Sequence, residues 1–336
     1  MDDRPSRRKF FKIAGASIGV GALFKVAPLH GLTPAAARLA RVLGRENGEA
    51  PTPFSFVQLS DTHVGFQGPP NPLGTAAFER AVERINALPQ KPDLVLFTGD
   101  LTHDSEKPGE HADRMRLFRK IAGGLAPDLL VKHVPGEHDA GLDGGALYRD
   151  AFGETYYSFD HRGVHFVALD NVTRGKPTVG SEQLAWLQKD LARFPKTAPI
   201  IVFTHRPLFD LRPDWEWFTT DGDEVLKLLA PYDNVTVLYG HIHRHDSKSI
   251  GNATHYAARS LIFAFPDPET GVPKKPIAFD PQNPFANLGL RVVREDGAGG
   301  RSAPRPRPAV DEIELSLREY AGTVGIQQFL KEGGSL

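Results

Sequence analysis

The chain has 336 residues, 40% of them apolar and 24% charged, which is ordinary globular composition and long enough for one large domain or two small ones. Forty Lys and Arg against 41 Asp and Glu leave a net charge of −1, so no global field draws the protein to nucleic acid or to a membrane surface. The absence of cysteine excludes disulfides, thiolate zinc sites, iron–sulfur clusters and a cysteine nucleophile, and leaves carboxylates and 13 histidines for any metal or acid–base chemistry.

The N-terminus reads Ser6-Arg7-Arg8-Lys9-Phe10-Phe11-Lys12, then a Gly-rich, weakly apolar run from Ile13 to Phe24, then the small-residue site Ala35-Ala36-Ala37. The apolar run is too short for the roughly 20 residues of a bilayer-spanning helix. A signal peptide over residues 1–37 is therefore expected, and no stable membrane anchor. The segment resembles a twin-arginine export signal with Phe11 in place of the usual Leu. That resemblance implies a bacterial chain handed to the twin-arginine machinery and carried in folded form to the periplasm or the exterior. Residues 38–53 read as a linker.

From residue 54 onward, strands and helices alternate. Phe54 to Leu59 is a short β-rich run, followed by a helix from Thr75 to Leu88 with Phe78, Val82 and Ile85 on one face. Asp93 to Phe97 is a buried strand, Met115 to Ala122 a helix, and Leu130 to Val134 a third strand. Tyr156 to Phe159 and Val164 to Leu169 form a hairpin about His161-Arg162-Gly163. Ser181 caps a helix to Phe194, and two further strands, Ile200–Phe203 and Val235–Tyr239, flank a helix near Glu224 to Leu229. The succession predicts α/β layers with mixed sheets. A catalytic domain is expected over 54–285. Residues 286–336 are expected to be a C-terminal extension, with a Gly/Pro/Arg linker at 297–308 and a strand-like alternation of Ile313, Leu315 and Leu317.

Polar residues sit where these strands end. The first core strand runs into Asp61-Thr62-His63, the second into Gly99-Asp100, and the third into Gly136-Glu137-His138-Asp139. Two later strands run into His205 and Gly240-His241-Ile242-His243. In open α/β sheets the carboxyl ends of the strands form the ligand crevice, so these side chains are expected to converge. Clustered carboxylates repel one another, and divalent cations offset that repulsion; carboxylate and imidazole together suit Mn, Fe or Zn.

Taken in order, these strand ends resemble the signature D-x-H, G-D, G-N-H-[D/E], H, G-H-x-H of the calcineurin-like metallophosphoesterases, and Phe152-Gly153 through Asp170 resembles that family's connecting hairpin. The resemblance implies a four-layer α/β/β/α sandwich of two mixed sheets flanked by helices, and a centre of two divalent or trivalent metal ions. It assigns Asp61, His63 and His243 to the first metal, Asp100 to both, and His205, His241 and residue 137 to the second. It implies hydrolysis of a small phosphate ester, diester or monoester, by a hydroxide held between the metals. His138 would stabilise developing charge or protonate the leaving group. The sequence departs from the family pattern at Glu137, where a neutral Asn is usual. The glutamate still offers oxygen but adds negative charge where an anionic substrate arrives, so the alternative expectation is a metal-binding scaffold with little turnover.

Other readings stay open at this level. His103, Asp104 or Asp139 would orient His138, and His103 would otherwise touch substrate. Arg206 and Arg212 are candidate phosphate contacts. Trp215 and Trp217 would either wall the substrate site or pack their loop onto the core. His165, in the middle of a strand, reads as a hydrogen-bonded structural residue.

Overall fold

The computed structural model describes residues 54–294 and 309–315. The expected signal peptide, linker and Gly/Pro/Arg segment lie outside the described residues. The chain begins with β1 (Ser55–Leu59), α1 (Ala76–Asn86), β2 (Leu94–Thr98), α2 (Glu110–Ala122) and β3 (Leu130–Val134). Two short helices, α3 (Glu137–Ala140) and α4 (Ala146–Phe152), lead to β4 (Tyr157–His161) and β5 (Val164–Ala168). Then come α5 (Ser181–Leu191), β6 (Pro199–Phe203), α6 (Gly222–Leu229) and β7 (Asn234–Tyr239). The strands β8 (Asp246–Ile250), β9 (Ala253–Ala257), β10 (Gly289–Arg294) and β11 (Ala309–Glu314) complete the described chain.

Two mixed sheets result. One has the order β11-β10-β1-β2-β3, with β1, β2 and β3 parallel and β10 antiparallel to β1. The other has the order β4-β5-β6-β7-β9-β8, with a parallel centre and an antiparallel strand at each edge. The central strands are buried on both faces, which is why they read as continuous apolar runs and not as alternations. In β1 and β2, Val57, Leu59, Val95 and Phe97 pack with Phe78 of α1 and Phe118 of α2. The intervening Phe56, Leu94 and Leu96 face the other way and pack with Phe166, Phe203 and Leu238 of the second sheet. Val167, Val202, Val235 and Val237 cover the far side of that sheet, against Leu187 and Leu191 of α5 and Val225 and Leu229 of α6. Three apolar layers thus separate four layers of secondary structure, the α/β/β/α sandwich that the resemblance implied.

The structure departs from the sequence reading in four places. The expected domain boundary at residue 285 does not mark an edge of the fold, because β10 pairs with β1 along Ser55 to Gln58 and β11 pairs with β10. Helix α2 starts at Glu110, earlier than Met115, because buried His111 extends its inner face by one turn. Gly180, not Ser181, precedes α5, and Asp221 accepts hydrogen bonds from Val179 N and Gly180 N at 2.8 and 2.7 Å in place of a serine cap. The β8–β9 hairpin was not anticipated, since its outer strand (DSKSI) is polar and largely exposed.

Candidate metal centre

Strand ends of both sheets converge on one crevice. Eight non-glycine residues among the described residues adopt φ above zero, and five of them are Asp61, His63, Asp100, His241 and His243, at 53, 40, 49, 66 and 53°. Left-handed backbone costs roughly 1–2 kcal/mol per non-glycine residue. Such residues collect at functional sites, where the surrounding structure over-determines them. Here Asp61 N donates to Gly99 O at 3.0 Å and His63 N to Asp100 O at 2.9 Å, tying the ends of β1 and β2 together. The neighbouring glycines leave space for carboxylates. A Cβ on Gly136 would stand 2.1 Å from Asp100 Oδ1, and one on Gly240 would stand 1.9 Å from Ser60 Oγ and 2.6 Å from Asp61 Oδ2.

Three groups of potential ligands form among the described residues: two that include carboxylates, and one of histidines alone, His63, His103 and His138. Atoms of Asp61, His63, Asp100 and His243 lie within 4.8 Å of one another, and so do atoms of Glu137, His205 and His241. In the first group, His63 Nε2 is 3.3 Å from Asp100 Oδ2 and 3.2 Å from His243 Nε2, and His243 Nε2 is 3.3 Å from Asp61 Oδ1. In the second, Glu137 reaches His205 Nε2 and His241 Nδ1, each at 2.7 Å. Asp100 Oδ2 links the groups, standing 3.4 Å from His205 Nε2 as well.

The imidazoles are held with one nitrogen outward. His205 Nδ1 donates to Thr98 O at 2.8 Å, His243 Nδ1 to Phe263 O at 2.9 Å, and His241 Nε2 to Glu216 O at 3.2 Å. This is how second-layer hydrogen bonds fix the tautomer of a ligating histidine. It leaves the other nitrogen of each ring as a lone pair facing the carboxylates. Glu137 Oε2 and His205 Nε2 are buried and have no hydrogen-bond partner among the described residues, although they lie 2.7 Å apart. Two facing lone pairs are satisfied only by a proton or a cation between them. Burial alone would lower the pKa of His205, but Asp100 and Glu137 raise it well above its ordinary value. Burial would raise Glu137, yet His241 and His205 hold it well below the carboxylate range. The site is thus built for positive charge, and its oxygen and nitrogen donors fit Mn, Fe or Zn.

His138 stands beside this crevice. Its backbone N donates to Asp100 Oδ1 at 2.9 Å, and its Nδ1 donates to Asp104 Oδ1 at 2.5 Å. Among the three expected partners, Asp104 is therefore the one that orients the ring. Burial pulls the His138 pKa down, while Asp100, Glu137 and the bond to Asp104 outweigh it and raise the group. Cations on Asp100 and Glu137 would cancel those two contributions, leaving the Asp104 bond as the persistent one. His103 stacks on His138 with ring centroids 4.4 Å apart, and its Nδ1 is 3.2 Å from His63 Nδ1. Burial and His138 lower His103 to about 4, so it is neutral at pH 7.

Asp139 does other work. It is fully buried and accepts from Leu101 N, Thr102 N and Gly136 N at 2.8–2.9 Å, joining the loop of Asp100 to that of Glu137. Burial and the nearby Asp100 raise its pKa to about 7. The tryptophan reading is corrected. Trp215 and Trp217 are 6% and 0% exposed and pack with Phe209, Tyr239, Ile242 and Ala257. They seat the loop and offer no wall to a substrate. Arg212 pairs with Asp214 at 2.9 Å. Arg206 does face the crevice, but its nearest charged group is Glu137, with Nη2 3.4 Å from Oε1. His165 sits between Asp160 and Asp190 at 2.8 and 2.7 Å, the structural role expected of it. Sequence reasoning missed the function of Glu216 and Phe263, which act through their carbonyls. Backbone acceptors leave no residue-type signal.

Residues 54–245 match the calcineurin-like phosphoesterase family. A probable glycerophosphodiester phosphodiesterase of Arcobacter nitrofigilis is 30% identical over 207 residues, covering 56% of this chain and 71% of that protein. A serine/threonine-protein phosphatase of Mus musculus is 28% identical over 219 residues, covering 57% and 70%. Purple acid phosphatase from yellow lupin seeds shares the fold with a TM-score of 0.54 at 15% identity, over 74% of this chain and 50% of its own. The matched span contains every strand end described above, and the chain belongs to the calcineurin-like phosphoesterases, a family of metal-dependent hydrolases of phosphoric esters.

Proposed function

We propose that the chain is an exported phosphoesterase that works with two metal ions on small phosphodiesters or phosphomonoesters. The observation that carries this reading is the convergence of Asp61, Asp100 and Glu137 with His63, His205, His241 and His243, lone pairs inward, on one crevice. Asp61, His63, Asp100 and His243 would hold one ion, and Asp100, Glu137, His205 and His241 the other. Such ions, when bound, polarise the ester and lower the pKa of water. The chain's own residues supply the rest. Asp104 holds the His138 ring by Nδ1, which leaves Nε2 to deliver a proton to the departing alkoxide. His103, neutral and stacked on His138, keeps that ring flat beside the ester. Left-handed backbone at five ligand positions fixes the geometry before substrate arrives, so little reorganisation accompanies the reaction.

The test is hydrolysis of bis(p-nitrophenyl) phosphate and p-nitrophenyl phosphate by chelated protein and by the same protein resupplied with Mn²⁺. Activity lost on chelation and regained with metal supports the reading. Full metal uptake with neither ester cleaved would instead make the chain a metal-binding scaffold. Export rests on the Ser6–Lys12 segment and the small-residue site at 35–37. Replacing Arg7 and Arg8 by Lys keeps the charge and removes the paired guanidinium groups, and the precursor should then accumulate in the cytoplasm. Unchanged export of that variant would reject the twin-arginine route.

A further inference from the structure

Glu137 brings a full negative charge to the second group of ligands, and a cation outside that group meets it. Arg206 Nη2 lies 3.4 Å from Glu137 Oε1, with the arginine side chain only 12% exposed. Its other terminal nitrogen, Nη1, donates to Glu216 O at 2.8 Å. The same carbonyl accepts from His241 Nε2 at 3.2 Å, and His241 Nδ1 returns to Glu137 Oε1 at 2.7 Å. Glu137, Arg206, the Glu216 carbonyl and His241 therefore close a ring.

The ring is anchored on every side. Glu216 holds a left-handed backbone, φ 60°. Fully buried Asn171 clamps the main chain of Arg206, its Oδ1 accepting from Arg206 N at 3.3 Å and its Nδ2 donating to Arg206 O at 3.0 Å. An exposed ion pair contributes little, since water screens it and two long side chains must be ordered. An arginine this well covered and this firmly held is different, because losing it would remove the one permanently charged partner of Glu137 among the described residues and leave the offset of its charge to His205 and His241.

We propose that Arg206 is the fixed counter-ion of Glu137, a positioning residue that cancels the carboxylate's charge toward an incoming anionic ester. The proposal rests on the assignment of Glu137, His205 and His241 to a metal ion. Coulomb energy scales with the product of charges, so loss of Arg206 penalises a dianionic phosphomonoester more than a monoanionic phosphodiester. Arg206 also competes with metal for Glu137, so its loss tightens metal binding.

The experiment places Arg206→Gln and Arg206→Lys in the full chain and in a Glu137→Asn background. Three quantities are read: the thermal midpoint before and after chelation, Mn²⁺ affinity by calorimetry, and KM for p-nitrophenyl phosphate and bis(p-nitrophenyl) phosphate. Arg206→Gln should lower the midpoint of chelated protein by about 2–4 °C when Glu137 is present and leave it unchanged beside Glu137→Asn. It should tighten the weaker Mn²⁺ site by about tenfold in the first background and by less than about threefold in the second. KM should rise more for the monoester than for the diester, and Arg206→Lys, which keeps the charge, should restore it. Equal midpoint shifts in both backgrounds would overturn the proposal, as would equal KM changes for the two esters. If no variant takes up Mn²⁺, the metal assignment fails, and the midpoint cycle on chelated protein still decides the Arg206–Glu137 pair.

Discussion

The two groups of candidate ligands are built differently. Asp61, His63, Asp100 and His243 are 0–4% exposed, and all four hold left-handed backbone immediately after strands. The second group has one such residue, His241, and its only carboxylate of its own is Glu137, a side chain 29% exposed on the first turn of a four-residue helix. The first group is thus fixed by the main chain and the second by side-chain contacts of a partly exposed carboxylate. Ligands fixed by the backbone lose little entropy on binding and hold their ion tightly. A site whose own carboxylate is partly exposed and not set by strained backbone exchanges its ion more readily. Removal of metal with increasing chelator should therefore proceed in two steps, with the ion on Glu137, His205 and His241 leaving first.

The largest expected effect comes from the residue the groups share. Asp100 Oδ2 is 3.3 Å from His63 Nε2 and 3.4 Å from His205 Nε2. Asp100→Ala should bring metal content toward zero and activity with it, at least 10³-fold by analogy with the loss of a principal catalytic group. The apolar layers do not touch this side chain, so the far-ultraviolet circular dichroism should stay native. Two metals per chain in that variant, measured by elemental analysis, would mean that Asp100 does not join the sites.

A milder change separates the groups. A Cβ on Gly240 would stand 1.9 Å from Ser60 Oγ and 2.6 Å from Asp61 Oδ2 of the first group, and at the longer distance of 3.0 Å from Thr98 O, which holds His205 of the second. Gly240→Ala should push Asp61 aside, cost about 1–3 kcal/mol of stability as overpacking does, and weaken the tight metal site more than the weak one. Denaturant unfolding and metal titration on the same preparation check both halves. Loss of the weaker ion first, as in the parent protein, would contradict the division of labour.

Glu137→Asn tests the second group directly. Carboxylate is the stronger ligand for hard cations, so the variant should bind its weaker ion roughly tenfold less tightly. Once metal is saturating, bis(p-nitrophenyl) phosphate should turn over a few-fold faster, because a less neutralised cation is the better Lewis acid. A slower variant at full occupancy would make Glu137 catalytic in its own right.

Which parts of this were legible in the sequence follows from what each part is made of. Strands buried on both faces announce themselves as apolar runs, and Leu94–Thr98 and Asn234–Tyr239 fall within a residue of the expected positions. An Asp or His directly after such a run has one direction to go, toward the carboxyl edge of the sheet, so convergence of the seven ligand candidates was readable. Strand β8 was not, because a polar edge strand shares the composition of a loop, and without it β9, a short ATHYA run, carries too few apolar residues to stand out. Strand β10 follows a long irregular stretch and carries fully buried Arg291, which spoils the apolar pattern. The partner of His138 was open because adjacent Asp139 competes with His103 and Asp104, which lie more than 30 residues earlier and reach the ring only through the fold. Only the turn of α3 sends Asp139 to the backbone of Leu101 and Thr102 and leaves the imidazole to Asp104. Trp215 and Trp217 were ambiguous for a similar reason, since a buried aromatic cluster and an exposed one have the same composition.

The smallest effect supplies the control that the comparison needs. Acid will strip metal from both groups by protonating their histidines, and that loss has to be told apart from acid sensitivity of the fold itself. His255 on β9 is fully buried, lies edge-on to Phe209 at 5.2 Å, and neither ring nitrogen has a hydrogen-bond partner among the described residues. Burial, with a smaller contribution from Lys248, lowers its pKa to about 4. An unfolded chain protonates the same ring near 6.5, so between these values the unfolded state binds the extra proton. The contribution of a neutral His255 is fully present above about pH 6.5 and is lost as pH falls toward 4, at up to about 1.4 kcal/mol per pH unit. His255→Leu removes that dependence. Between pH 7 and pH 5, in chelator and therefore without metal linkage, the parent protein should lose about 2 kcal/mol more unfolding free energy than the variant. Urea titrations at the two pH values measure it. Identical losses would show that His255 is protonated in the fold as easily as out of it, and the acid response would then belong to other groups, buried His133 among them.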